Sequence, residues 1–138
     1  MGTPKMNFFP AELLLLGGEY AVRAAGVDHV LSGGKQKILR QRNEAPRKVI
    51  LGIRPEHVRI TAADARGSIQ ARVDVSEMMG SEIYLHVVVD ELDVIIRVPT
   101  EDMKNNSFKP GKNNTVHFII PEPLIHLFDT DTEKNLLA

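Results

Sequence analysis

The sequence predicts an all-β fold, a small barrel or sandwich of short antiparallel strands. Three observations predict it: apolar residues alternate with polar ones at a period of two, glycine-centred turns recur at short intervals, and helical periodicity is scarce. The chain has 138 residues, the size of one domain able to bury a core without covalent staples. A single domain over 1–138 is expected, since no linker, internal repeat or low-complexity tract divides the chain.

In chain order, strands are expected at Ala11 to Leu16 and Glu19 to Ala24, separated by Gly17-Gly18. The stretch from Gly26 to Pro46 is polar and irregular and admits a long hairpin, an insertion or a poorly ordered loop, with strand character at Lys37 to Gln41 after Gly33-Gly34. A strand at Lys48 to Arg54 leads into one helical turn at Pro55 to Val58, where proline suits a first helical position. The clearest alternation follows. Ile69, Ala71, Val73 and Val75 share one face of a strand over Ser68 to Val75, Gly80-Ser81 turns the chain, and Ile83, Leu85, Val87 and Val89 share a face of the next strand. After an acidic turn at Asp90 to Asp93, Val94, Ile96 and Val98 form a third strand, ended by Pro99, which lacks a backbone donor. Residues 68 to 98 therefore read as a meander. A short helical stretch near Thr100 to Asn105, a turn at Pro110-Gly111 and a strand at Thr115 to Ile120 complete the chain.

Composition excludes several function classes. There are no cysteines, which removes disulfides, thiolate nucleophiles and Cys-based zinc sites and suits a reducing compartment. With 17 basic and 18 acidic residues the net charge is -1, so neither a polyanion nor an anionic membrane is strongly attracted. No apolar run approaches the roughly 18 residues of a membrane-spanning helix, and no secretion signal is expected. Asn105-Asn106-Ser107 and Asn113-Asn114-Thr115 match the glycosylation pattern but read as polar loops.

The motifs that imitate catalytic chemistry are incomplete. Leu31-Ser32-Gly33-Gly34-Lys35-Gln36 resembles the LSGGQ signature of ABC ATPases, yet the apolar strand after it lacks the acidic pair that would hold magnesium, so it reads as a Ser-Gly-Gly turn between strands. A phosphate-binding loop needs Gly, four residues, then Gly-Lys-Ser/Thr; Gly34-Lys35 and Gly111-Lys112 lack both the leading glycine and the hydroxyl. Asp129-Thr130-Asp131-Thr132-Glu133 opens like a calcium loop but has Lys134 in place of the turning glycine, and reads as a solvated acidic tail. His29, His57, His86, His117 and His126 show no metal-ligand spacing, and Glu91 and Asp93 lie in a solvated turn. Adjacent Glu56 and His57 have the residue types for acid–base work but read as fixing a turn or an interface. No catalytic, cofactor or metal site is expected in these residues.

Four blocks in order carry a family resemblance. Gly52-Ile53-Arg54-Pro55-Glu56-His57-Val58 resembles the GIRPEH segment in the C-terminal domains of maltose-type ABC import ATPases. Gly2-Thr3-Pro4-Lys5-Met6-Asn7-Phe8-Phe9 resembles the passage leading out of the ATPase domain. Glu77 to Glu82 with Tyr84, Leu85, His86 and Val87 is similar to the family's E-x-L-G-S-E-x-Y-x-H-V, and His126-Leu127-Phe128-Asp129 matches its terminal H-L-F-D. Lys112-Asn113-Asn114 departs from the acidic residue usual after Pro110-Gly111, and Gly26 to Arg47 matches no family pattern.

The resemblance implies an OB-like, TOBE-type barrel, with residues 1–10 as the junction from an ATPase domain. It implies a noncatalytic regulatory and dimerisation domain of a sugar-import subunit, cytoplasmic and peripheral to the inner membrane face through the transporter complex. The implied partners are a second copy, the ATPase domain, the transporter's membrane subunits and a regulatory protein; ATP and magnesium would belong to the parent chain alone. The interface or motif residues carried over are Met6, Asn7, Phe8, Arg54, Pro55, Glu56, His57, Gly80, Ser81, Glu82, His126 and Phe128. The alternatives are a small-molecule or oxyanion sensor, as in the molybdate branch, and a nucleic-acid-binding barrel. Near-neutral charge, 5% aromatic residues and the lack of tryptophan argue against the latter.

Overall fold

The computed structural model describes residues 5–101 and 113–138. Its strands are β1 (Asn7–Leu16), β2 (Glu19–Ala24), β3 (Val27–Val30), β4 (Arg47–Ile53), β5 (Arg59–Thr61), β6 (Ile69–Met79), β7 (Glu82–Val89), β8 (Leu92–Pro99), β9 (Thr115–Ile119) and β10 (His126–Asp129). One helix, α1, spans Gly33–Gln41, and single 3-10 turns lie at Pro55–His57 and Glu122–Leu124. The strands form two five-stranded antiparallel sheets, so the all-β expectation holds. The expected single domain corresponds to two compact units: a meander unit, made of the segment ending at Asn7 with Arg54–Ile120, and a helix-bearing unit, made of Phe8–Ile53 with Pro121–Ala138.

The meander unit carries the sheet β5-β9-β6-β7-β8. Its buried face is lined by Ile69, Ala71, Val73, Ile83, Leu85, Val87, Val89, Val94, Ile96 and Val98, which alternation predicts, together with Val116 and Phe118 of β9. Each larger side chain contributes about 1.5–3 kcal/mol on burial. Val75 does not join them. The register of β6 on β7 slips between Val73 and Val75, a bulge that reverses which residues face inward, so Val75 is 46% exposed while Val73 is fully buried. The acidic turn shortens to Asp90-Glu91, with φ of 44° and 70°, because Leu92 and Asp93 keep pairing with Val89 and Val88. Of the helical stretch expected at Thr100 to Asn105, Thr100 and Glu101 are helical and the rest lies outside the described residues, as do Asn105-Asn106-Ser107 and Pro110-Gly111.

The helix-bearing unit carries the sheet β10-β4-β1-β2-β3. β1 begins at Asn7, four residues before the expected start; its pairing with β2 begins at Ala11 opposite Ala24, so Pro10, which cannot donate to a ladder, lies just outside that register. The strand expected at Lys37 to Gln41 and the Ser-Gly-Gly turn expected before it are both corrected: these residues form α1, with Ser32 as its N-cap. Its buried positions, Gln36 and Leu39, are three apart and share a face. One of them is polar, which hides the helical period from a hydrophobicity reading. The strands β3, β5 and β10 are three or four residues long, too short for alternation to declare them.

Candidate contact surfaces

At the start of β1 the Asn7 carboxamide is buried and reaches β8, the edge strand of the meander sheet. Its Nδ2 donates to the Ile95 carbonyl at 2.8 Å, and its Oδ1 accepts from the Ile95 N–H at 2.9 Å. One side chain thus occupies the outward donor and acceptor of a strand edge, groups that otherwise invite pairing with another chain. Met6 beside it is half-buried.

The Arg54-Pro55-Glu56-His57 segment and the β6–β7 turn lie in the same unit. Pro55 is buried at the first position of the 3-10 turn, and the His57 N–H donates to the Arg54 carbonyl at 2.9 Å. The His57 Nδ1 is buried with no hydrogen-bond partner among the described residues. Gly80 holds φ of 68°, a left-handed value that suits glycine in the hairpin turn. The Ser81 carbonyl accepts from both the N–H and the Oγ1 of Thr100 at 2.9 Å. Arg97 donates to Glu82 from both Nε and Nη2, the latter 2.7 Å from Oε1, and that hydrogen bonding holds the Glu82 carboxyl below its ordinary range. Glu56 adds a second negative charge facing Arg97. A cavity of 310 Å³ opens here, lined by Glu56, Arg59, Arg97 and apolar residues of β5 and β8 with Val58. Glu56 and Glu82 are therefore gathered around Arg97, a residue that alternation placed on an outward face without revealing its partners.

Phe8, His126 and Phe128 come together in the helix-bearing unit. The rings of Phe8 and Phe128 meet edge to face with centroids 5.9 Å apart, and His126 stacks on Phe128 at 6.3 Å. Ile50, opposite Phe128 in the β4–β10 register, completes an outer face that is apolar where an exposed sheet face is ordinarily polar. Phe8 is 52% exposed. Phe8 and Phe128 are 120 residues apart in sequence, and Ile50 carries no motif, so nothing in the sequence announces that these side chains meet.

The signature-like Leu31 to Gln36 segment has structural occupations. Leu31 is buried, Lys35 pairs with Glu122, and the Gln36 carboxamide accepts from the Tyr20 N–H at 2.8 Å and donates to the carbonyls of Tyr20 at 2.7 Å and Leu31 at 3.1 Å. The calcium-like run is a turn closed on Asp129, whose carboxylate accepts from the N–H groups of Asp131 and Thr132, accepts from the Thr132 hydroxyl and pairs with Arg47. These partners lower the Asp129 carboxyl well below its ordinary value. Among the described residues no group of three or more His, Cys, Asp or Glu side chains is placed to hold a metal ion. No described helix is long and apolar enough to cross a membrane.

Comparison with known proteins agrees with this division. Residues 2–58 match the MalK OB fold domain family, and residues 51–121, more than half of the chain, match the TOBE domain family. The chain is 30% identical to the oligosaccharides import ATP-binding protein MsmX of Bacillus subtilis (strain 168), over 99% of this chain and 36% of that protein. It is 28% identical to the sn-glycerol-3-phosphate import ATP-binding protein UgpC of Escherichia coli O6:K15:H31, over 99% of this chain and 34% of that protein. The chain thus spans about a third of the length of the curated relatives it matches. A solved structure of the cytoplasmic molybdate-binding protein ModG, with molybdate bound, shares the fold at a TM-score of 0.57 and 15% identity, covering 92% of this chain and 96% of that one. Two sheets of short antiparallel strands, the ordered motifs and the family match at 51–121 lead to one conclusion: the chain belongs to the TOBE domain family, with a MalK-type OB segment as its first part.

Proposed function

We propose that this chain is the noncatalytic regulatory and dimerisation domain of an ABC importer's ATP-binding subunit, one that takes up a sugar or sugar-like solute. The observation that carries the reading is the alignment of nearly the whole chain with about a third of two import ATP-binding proteins, MsmX and UgpC, together with successive OB and TOBE matches. In this reading ATP and magnesium are bound by the remainder of the parent subunit, and the domain itself binds neither. It works at the cytoplasmic face of the membrane, against its own ATPase domain, a second copy of itself and, through the complex, the membrane subunits and a regulatory protein. Nucleic acid is not a partner. The geometry supports a contact role: Phe8, Ile50 and Phe128 form an apolar outer face, and Glu56, Glu82 and Arg97 form a charged cluster. Sedimentation of the purified chain across a concentration series tests the dimerisation part. A reversible monomer–dimer equilibrium is expected, and a chain that stays monomeric at millimolar concentration overturns it.

A further inference from the structure

The outer face of β10, β4 and β1 holds a cavity of 430 Å³ lined by Phe8, Ile50, Phe128 and Glu133. That volume lies within the range of ligand-accepting clefts, about 300–1,000 Å³. Its walls are two phenyl rings and an isoleucine, and its one charged lining residue is an acid. Aromatic rings present a negative face, so rings and carboxylate together favour a cation and disfavour an anion. The acid is also held in place and available. The Glu133 N–H donates to the Asp129 carbonyl at 3.0 Å, while its carboxylate has no hydrogen-bond or ion-pair partner among the described residues. Asp129, four residues earlier, is by contrast committed to Arg47 and Thr132.

We propose that this face receives an arginine side chain of a partner polypeptide, its guanidinium packed on the rings of Phe8 and Phe128 with the Glu133 carboxylate facing it. Arginine is chosen over lysine because a planar, weakly hydrated guanidinium packs on aromatic faces and still donates to a carboxylate, while an ammonium keeps its water. The volume exceeds that of a guanidinium, which leaves Ile50 to take the aliphatic stem. The inference rests on the reading of this chain as a contact domain and supplies the chemistry of one contact.

The test is a nuclear magnetic resonance titration of the whole chain with a capped Gly-Arg-Gly peptide and with its citrulline counterpart, which keeps the shape and removes the charge. Saturating shifts of the Phe8 and Phe128 ring signals are expected with the arginine peptide, at least about five-fold weaker with citrulline. Glu133→Gln is expected to weaken arginine binding to a similar extent with an unchanged backbone spectrum, and Phe128→Leu is a second variant should the first perturb the turn. Absent ring shifts, equal binding of the two peptides, or full binding by both variants overturns the proposal. Tighter binding of tetramethylammonium than of the arginine peptide assigns the face to a free cation and overturns it as well. Ring shifts on concentrating the chain alone assign the face to a second copy, which also overturns it. Sedimentation of the same samples separates the two readings, since a chain that dimerises but ignores arginine overturns only this one.

Discussion

A carboxamide presents a donor and an acceptor side by side, the same pair that one residue of an extended strand presents along its edge. Asn7 uses this match on Ile95, and Gln36 uses it on Tyr20. Both residues are buried, so their amides replace water that would otherwise serve those backbone groups. Replacing Asn7 with leucine leaves the Ile95 N–H and carbonyl unpaired and is expected to destabilise the chain by about 1–3 kcal/mol. Urea denaturation reads the loss, and amide exchange at Ile95 is expected to accelerate. Asn7→Asp keeps the acceptor but sets a buried carboxylate oxygen against the Ile95 carbonyl, two acceptors with no proton between them, and is expected to cost at least as much at neutral pH. The sequence marks Asn7 only through its motif and Gln36 only as part of an ATPase-like run; neither partner is legible, because each lies on a strand whose place depends on the whole sheet.

Among the elements, β6 shows how far alternation reaches. The pattern Ile69, Ala71, Val73 is a true inward face, and its continuation to Val75 is apparent in the letters and false in space. One extra residue in a ladder exchanges the two faces beyond it. Val73→Thr is therefore expected to cost about 1–3 kcal/mol by burying a hydroxyl in an apolar core, and Val75→Thr less than about 0.5 kcal/mol. Thermal unfolding of the two variants side by side checks the bulge, and equal losses would place Val75 in the core. α1 is the complementary case. Its glycine-rich start and polar buried face suggest a turn, while its packing on β2 through Gln36 makes a helix of it.

At the scale of the molecule, pH dependence is a property of the folded units and has a definite sign. In the helix-bearing unit burial lowers the His29 pKa below its ordinary 6.5, with Asp28 and Glu122 opposing in part. The folded state thus disfavours the proton that the unfolded chain accepts. Its stability contribution is complete above pH 6.5 and falls as the pH drops through that value. Asp129 behaves as a paired carboxylate: its pKa is lowered from 3.8, so its contribution is present above that value and is lost below it. Denaturation midpoints measured from about pH 8 to about pH 3 are expected to decline in two stages. His29→Gln should flatten the first stage and Asp129→Asn the second, and a His29→Gln profile parallel to the unmutated one would exclude His29 as the source of the first.

The sequence by itself determined the class of fold, the meander over residues 68 to 98, and a family identity readable from four ordered motifs. These depend on local rules, since the strand period, turn glycines and strand-ending prolines act within a few residues of where they stand. Only the tertiary structure decided that the chain forms two compact units, that Ser32 to Gln41 is a helix and its cap, and that Phe8, Ile50 and Phe128 share one face. The physical reason is that pairing partners are chosen by hydrogen-bond and packing complementarity between distant segments. A buried amide, a bulge and a patch shared by three strands have no period for a sequence to display.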